Sequence, residues 1–177
     1  MLKALAFLHL CLLFGTSLLL SVEAADVAEN QLKAAYLVHL SEFTTWPDAK
    51  MQLPNFSICL SKNSTLSEPL EEIRGRLVKD KPLDIIYNVS AERINTCHIL
   101  YVEDVGDKKI LQQAVQRNEP ILSVSSETGF AKASGGGVIE FYTDSEKKVK
   151  MRINLKLMRQ SSLMISSNLL RLMDVIP

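Results

Sequence analysis

The residues of this chain that could do chemistry are few and scattered. Gly135, Gly136 and Gly137 form a run of three, which permits positive φ and close backbone approach, as a phosphate cradle requires. A phosphate loop also ends in Lys followed by Ser or Thr and opens a helix. Here the glycines lead into Val138-Ile139-Glu140-Phe141, so they read as a tight lead-in to a strand. Cys97 and His98 are adjacent, and neighbours on a strand point to opposite faces, so they do not read as a metal pair. His98 has no acid or nucleophile beside it by motif. Ser166-Ser167 lacks the G-x-S-x-G elbow of a hydrolase. His39 stands alone in a helical pattern and reads as partly buried or solvated. The carboxylates read as solvated. The expectation is a protein without catalytic group, metal or cofactor.

Around these residues the sequence alternates between two periods. Val149, Met151, Ile153 and Leu155 point one way and Lys150, Arg152, Asn154 and Lys156 the other, the period of a half-buried strand. Ile139 and Phe141 alternate with Val138, Glu140 and Tyr142, and Asp144 to Lys148 is a polar turn, so the pair reads as an antiparallel hairpin. Upstream, Glu29 to Phe43 reads as a helix with Leu32, Ala35, Tyr36, Leu40 and Phe43 on its apolar face, ended by Trp46-Pro47. Strands are expected over Asn55–Leu60, Leu83–Val89, Cys97–Val102 and Pro120–Val124. Helices are expected over Ser67–Val78 (capped by Ser67, with Leu70, Ile73 and Leu77 on one face) and Asp107–Arg117, with a short helical or turn segment over Ser90–Asn95. A last helix, Leu163–Ile176, is capped by Ser166 or Ser167. Strands alternating with helices imply right-handed βαβ units. The fold class is therefore α/β: a single domain with a mostly parallel central sheet, an added antiparallel hairpin and flanking helices.

Lys3, the apolar run Ala4–Leu20 and Val22-Glu23-Ala24 have the layout of a signal peptide over 1–24, with the mature domain over 25–177 starting at Ala25. A membrane anchor is the competing reading, but no basic cluster follows the run. Cleavage would remove Cys11 and His9. Roughly 150 mature residues suit one domain with a real core. The chain has 20 Lys and Arg against 20 Asp and Glu; that balance argues against nucleic acid, which needs a basic stripe. Two cysteines remain, Cys59 and Cys97. In an exported chain an even pair can be bridged, and two separate buried thiols are the alternative.

Several stretches resemble the YfiR family, a bacterial periplasmic domain. SSETGFAKASGGGVIEF is similar to the segment I-S-E-x-x-G-F-x-x-x-G-G-x-I-x-F, RINL and LMISSNLLRL to its continuation, and KAAYLVHLSEFTTWP to the opening helix ending in W-P. The resemblance implies a periplasmic repressor, a homodimer, that binds the periplasmic domain of a membrane diguanylate cyclase and lowers cyclic di-GMP signalling and biofilm formation. It also implies that Cys59 and Cys97 can form a disulfide. The family's partner-contacting surface lies around the hairpin and the next helix, which here implicates Phe141, Arg152 and Met158. Arg152 stands where the family commonly has Glu, so the implied partner patch is acidic. Glu140 replaces a common Asn, Met151 a Phe, Ser162 a Gly, and Leu157-Met158 small alanines. The other function class is a periplasmic small-ligand sensor, using the cleft at the carboxyl ends of the parallel strands and acting on another membrane signalling protein such as a histidine kinase.

Overall fold

In a computed structural model, residues 25–132 and 136–176 are described. The expected leader over 1–24, with Lys3, His9 and Cys11, lies outside them, as does Gly135. In chain order the elements are helix α1 over 25–43, then β1 (Thr44–Thr45), α2 (Asp48–Met51), β2 (Phe56–Leu60), α3 (Ser67–Glu71), β3 (Leu77–Val78) and β4 (Lys81–Tyr87). A 3-10 turn (Ile94–Thr96) leads to β5 (Ile99–Tyr101), α4 (Val105–Gln116), β6 (Leu122–Ser125), β7 (Ile139–Thr143), β8 (Val149–Asn154) and α5 (Leu155–Gln160). β9 (Met164–Ile165), α6 (Ser167–Leu170) and β10 (Asp174–Ile176) follow.

The main sheet has the order β10-β8-β7-β6-β5-β2-β4-β3. Its centre, β4-β2-β5-β6-β7, is parallel throughout. β8 returns antiparallel to β7 with Glu140 opposite Arg152 and Phe141 opposite Met151, as the alternating hairpin residues require. The mostly parallel α/β sheet expected from the sequence is therefore present. A second, two-stranded sheet pairs β1 with β9.

Strand alternation sends apolar side chains to two cores. Phe56, Ile58 and Leu60 of β2, Ile99 and Tyr101 of β5, and Val149, Met151 and Ile153 of β8 join Leu37 and Leu40 of α1 on one face. Cys59, Leu100 and Val102 join Leu111 and Ala114 of α4 on the other.

Four expected elements differ. The helix expected over Ser67–Val78 stops at Glu71; Gly75 sits at φ +83°, a conformation that turns the chain back, and Leu77–Val78 pairs with β4 as a strand. Ser67 is not its cap, since its hydroxyl donates to Lys62 O at 3.2 Å. The apolar face assigned to α1 is rotated: Ala34, Leu37, Val38 and Leu40 are buried, whereas Leu32, Ala35 and Phe43 are exposed and Tyr36 is half-buried. Leu155 and Lys156 leave the strand and begin α5, because Asn154 Oδ1 accepts from Leu157 N at 3.0 Å and caps a helix there. The helix expected over Leu163–Ile176 is a single turn, capped by Ser166 as expected, after which β10 pairs parallel with β8.

Candidate functional site

The hairpin region is built by its lead-in. Gly137 lies beneath the Phe130 ring: a Cβ there would stand 2.2 Å from Phe130 Cε1 and 2.6 Å from Ser123 Oγ. Only glycine fits, so this residue of the run serves packing. Val138 N donates to Ser123 Oγ at 3.0 Å and anchors the start of β7.

The carboxylate of Glu140 is not solvated, as expected from the sequence, but fully buried. It accepts from Gly129 N and Ala131 N, each at 3.1 Å, and from Arg152 Nη1 at 2.6 Å. Strand alternation does turn it away from the α1 core, but the 129–131 segment folds over that face and covers it. A buried carboxylate needs such donors, because leaving it unpaired is costly. Arg152 also lies over the Tyr142 ring, its guanidinium carbon 4.1 Å from the centroid, and is 19 % exposed.

The structure separates the three residues implicated in partner contact. Phe141 and Met158 are core, 1 % and 2 % exposed; the Phe141 ring lies 6.1 Å from that of Tyr36 on α1. Both side chains are buried, and Arg152, which strand alternation turns away from the core row, is held by Glu140. What this region does expose is a groove of about 1090 Å3 between the start of α1 and the hairpin, lined by Leu32, Tyr36, Val149, Met151 and Leu172, with Lys147, Lys148 and Lys150 on its rim. Leu172 is 70 % and Leu32 39 % exposed. No motif or spacing marks this groove, because it depends on the rotation of α1 and on where the C-terminal turn ends.

A second depression of about 510 Å3 lies at the carboxyl ends of β5 and β6, lined by Thr65, Tyr101, Glu103, Asp104, Ser126 and Glu127 among others. It sits beside the point where strand order reverses, between β2 and β5, which is where doubly wound sheets bind ligands. The N-terminus of α4 opens there, and the chain's own carboxylates cap it. Asp104 Oδ1 accepts from Asp107 N at 2.8 Å, and Asp107 Oδ2 accepts from Glu103 N and Asp104 N at 3.0 and 3.3 Å. This capping box leaves two carboxylates where an anion would sit, and burial raises the Asp107 pKa above the ordinary carboxylate value.

Cys59 of β2 and Cys97, just before β5, are joined by a disulfide with Cα atoms 5.8 Å apart, within bonding range. His98, the next residue, is fully buried; His39 is exposed. Among the described residues no three His, Cys, Asp or Glu side chains gather as a metal site, and no helix is long and apolar enough to cross a membrane.

Fold and surface together define a mixed α/β protein whose candidate working parts are grooves at a hairpin and at the strand ends, not a cluster of reactive groups. Residues 30–173 match the model of the YfiR/HmsC-like family, and the chain belongs to that family. Such membership fits a regulatory protein. Comparison with curated proteins returned no match.

Proposed function

We propose that the chain is exported, loses residues 1–24, and acts in the periplasm by binding the periplasmic domain of a membrane-bound diguanylate cyclase and holding it inactive. Membership of the YfiR/HmsC-like family carries this reading. Repression across a membrane requires the repressor to prefer one conformation of its partner's outer domain over the other. The contact surface assigned here is the groove between α1 and the hairpin. Leu32 and Leu172 offer apolar area of the kind that marks interaction sites; Lys147, Lys148 and Lys150 make the hairpin side of the groove basic and favour an acidic partner segment there, while Asp26 and Glu29 line its α1 side. Phe141 and Met158 take part from beneath, Phe141 by supporting Tyr36 and Met158 as part of the same core.

The test uses the periplasmic domain of a cyclase encoded beside this chain. Leu172→Asp and Lys148→Glu change exposed side chains, so both variants should unfold with the parent while binding the domain at least tenfold more weakly and releasing cyclic di-GMP synthesis. A parent protein that leaves cyclic di-GMP unchanged and does not bind that domain would overturn the repressor reading. The depression at the ends of β5 and β6 favours a second reading, a small-ligand sensor, and its capping carboxylates favour a neutral or cationic ligand over a phosphate.

A further inference from the structure

His98 occupies a setting that none of the functions above uses. The parallel ladder between β2 and β5 pairs Ile58 with Ile99 and Cys59 with Leu100. One step earlier, His98 N donates to Ser57 O at 2.9 Å. The return bond goes to the side chain: Ser57 N donates to His98 Nδ1 at 3.1 Å. The imidazole thus stands in for a backbone carbonyl and adds a rung to the sheet. That bond fixes the tautomer, because Nδ1 must carry a lone pair and the proton must sit on Nε2.

The surroundings oppose a second proton. The ring stacks on Phe56 with centroids 4.3 Å apart and meets the edge of Trp46 at 5.9 Å. The charged groups that act on it are Lys50 of α2 and Lys81 of β4, both cationic; no carboxylate does. Lys50 is itself buried, its Nζ donating to Asn95 O at 2.6 Å, with Glu119 the acidic group acting on it. Protonated Nδ1–H would face Ser57 N–H, two donors with no acceptor between them. The Phe56 ring face compensates part of the charge but supplies no lone pair.

We propose that His98 is an acid-operated latch: a proton taken from solvent onto Nδ1 breaks the Ser57 rung and releases the end of the sheet that carries α2, Trp46 and the start of β5. Burial, then the charge of Lys50, holds the His98 pKa down to about 4, below the ordinary value of about 6.5. The opened form therefore binds the proton more readily than the closed form. The latch contributes fully above about pH 6.5, and its contribution is lost as pH falls from there through 4. Lys50, lowered to about 8 mainly by burial, is already charged across that window and does not change state within it. The inference is independent of which partner or ligand the protein takes.

Trp46 is the single tryptophan of the chain and lies against His98, so its emission reports the latch. The purified protein should show a reversible change in Trp46 emission between pH 6.5 and 4. Over the same range, exchange of the Ser57 amide should accelerate, and the His98 imidazole should titrate at least one pH unit below the ordinary value of about 6.5 by NMR. His98→Asn keeps an acceptor for Ser57 N without a titrating group, and should flatten the emission profile between pH 6.5 and 4. Titration of His98 at the ordinary imidazole value of about 6.5 with Ser57 unchanged would overturn the latch, as would a folded His98→Asn protein with the parent's transition. If that variant does not fold, the NMR titration of the parent alone decides.

Discussion

Replacing Arg152 by Met tests whether the Glu140 network is a structural keystone of the hairpin. Glu140 is fully buried, with three donors on its carboxylate. Arg152→Met removes the only charged donor and leaves an ionised carboxylate held by two amides. Breaking a buried pair costs roughly 3–5 kcal/mol. Here Gly129 N and Ala131 N continue to donate, and the 19 % exposure of Arg152 lets solvent screen part of the loss. The lower end, about 3 kcal/mol, is therefore expected, a large share of the ~5–15 kcal/mol that stabilises a typical domain. For a chain of this size that is a fall in Tm of roughly 6–12 °C. Glu140→Gln should cost less, about 1–2 kcal/mol, because the guanidinium it strands can reach water and still rests on Tyr142. The double variant should lose less than the sum, leaving a coupling of about 1 kcal/mol or more. Urea unfolding at pH 7, followed by Trp46 emission, measures all three. A loss below about 0.5 kcal/mol for Arg152→Met, the scale of a surface pair, would refute the reasoning, as would zero coupling. Arg152→Glu, which sets a second carboxylate against Glu140, should lower stability and binding together, so it cannot isolate a partner contact.

Two further outcomes follow from packing and covalent structure. Gly137→Ala should destabilise by roughly 1–3 kcal/mol through overpacking against Phe130, and Phe130→Leu in the same chain should recover part of it; thermal melts of the three variants decide, and a neutral Gly137→Ala would sink the close-packing account. Replacing Cys59 and Cys97 together by Ala opens a bridge between residues 38 apart; loop entropy sets its contribution at about 4 kcal/mol, readable as a drop in the urea midpoint, and a loss under ~1 kcal/mol would show that the unfolded chain gains little freedom.

The central strands were legible because each is a short apolar run between polar turns, and the hairpin because its two limbs alternate cleanly. The shortened helix after Ser67 was not: Leu70, Ile73 and Leu77 keep helical spacing, and the break at Gly75 depends on a backbone angle the spacing does not contain. α1 carries apolar residues on more than one side, so its periodicity left the buried face ambiguous, and Leu32 and Phe43 went to the core by default. At Leu155 the alternation Ile153, Leu155, Leu157 runs on past the end of the strand; Asn154, as a cap, was the available signal. Burial of Glu140 was not readable from its own strand, because the residues that cover it, Gly129 and Ala131, arrive from another segment. Phe141 and Met158 were singled out by resemblance alone, which does not distinguish a core position from a surface one; the structure buries both.

The capping box of α4 has a consequence for what this architecture needs in order to be whole. In many doubly wound proteins the helix beside the strand reversal presents free N–H groups, and a phosphate from solution neutralises them. Here Asp104 and Asp107 are tethered counter-ions, delivered by the chain itself as the helix forms. Part of the positive end of α4 is therefore countered on folding. The cap of α4 does not wait on the supply of a nucleotide or other anion, and the loop before it is held in shape by the chain's own carboxylates.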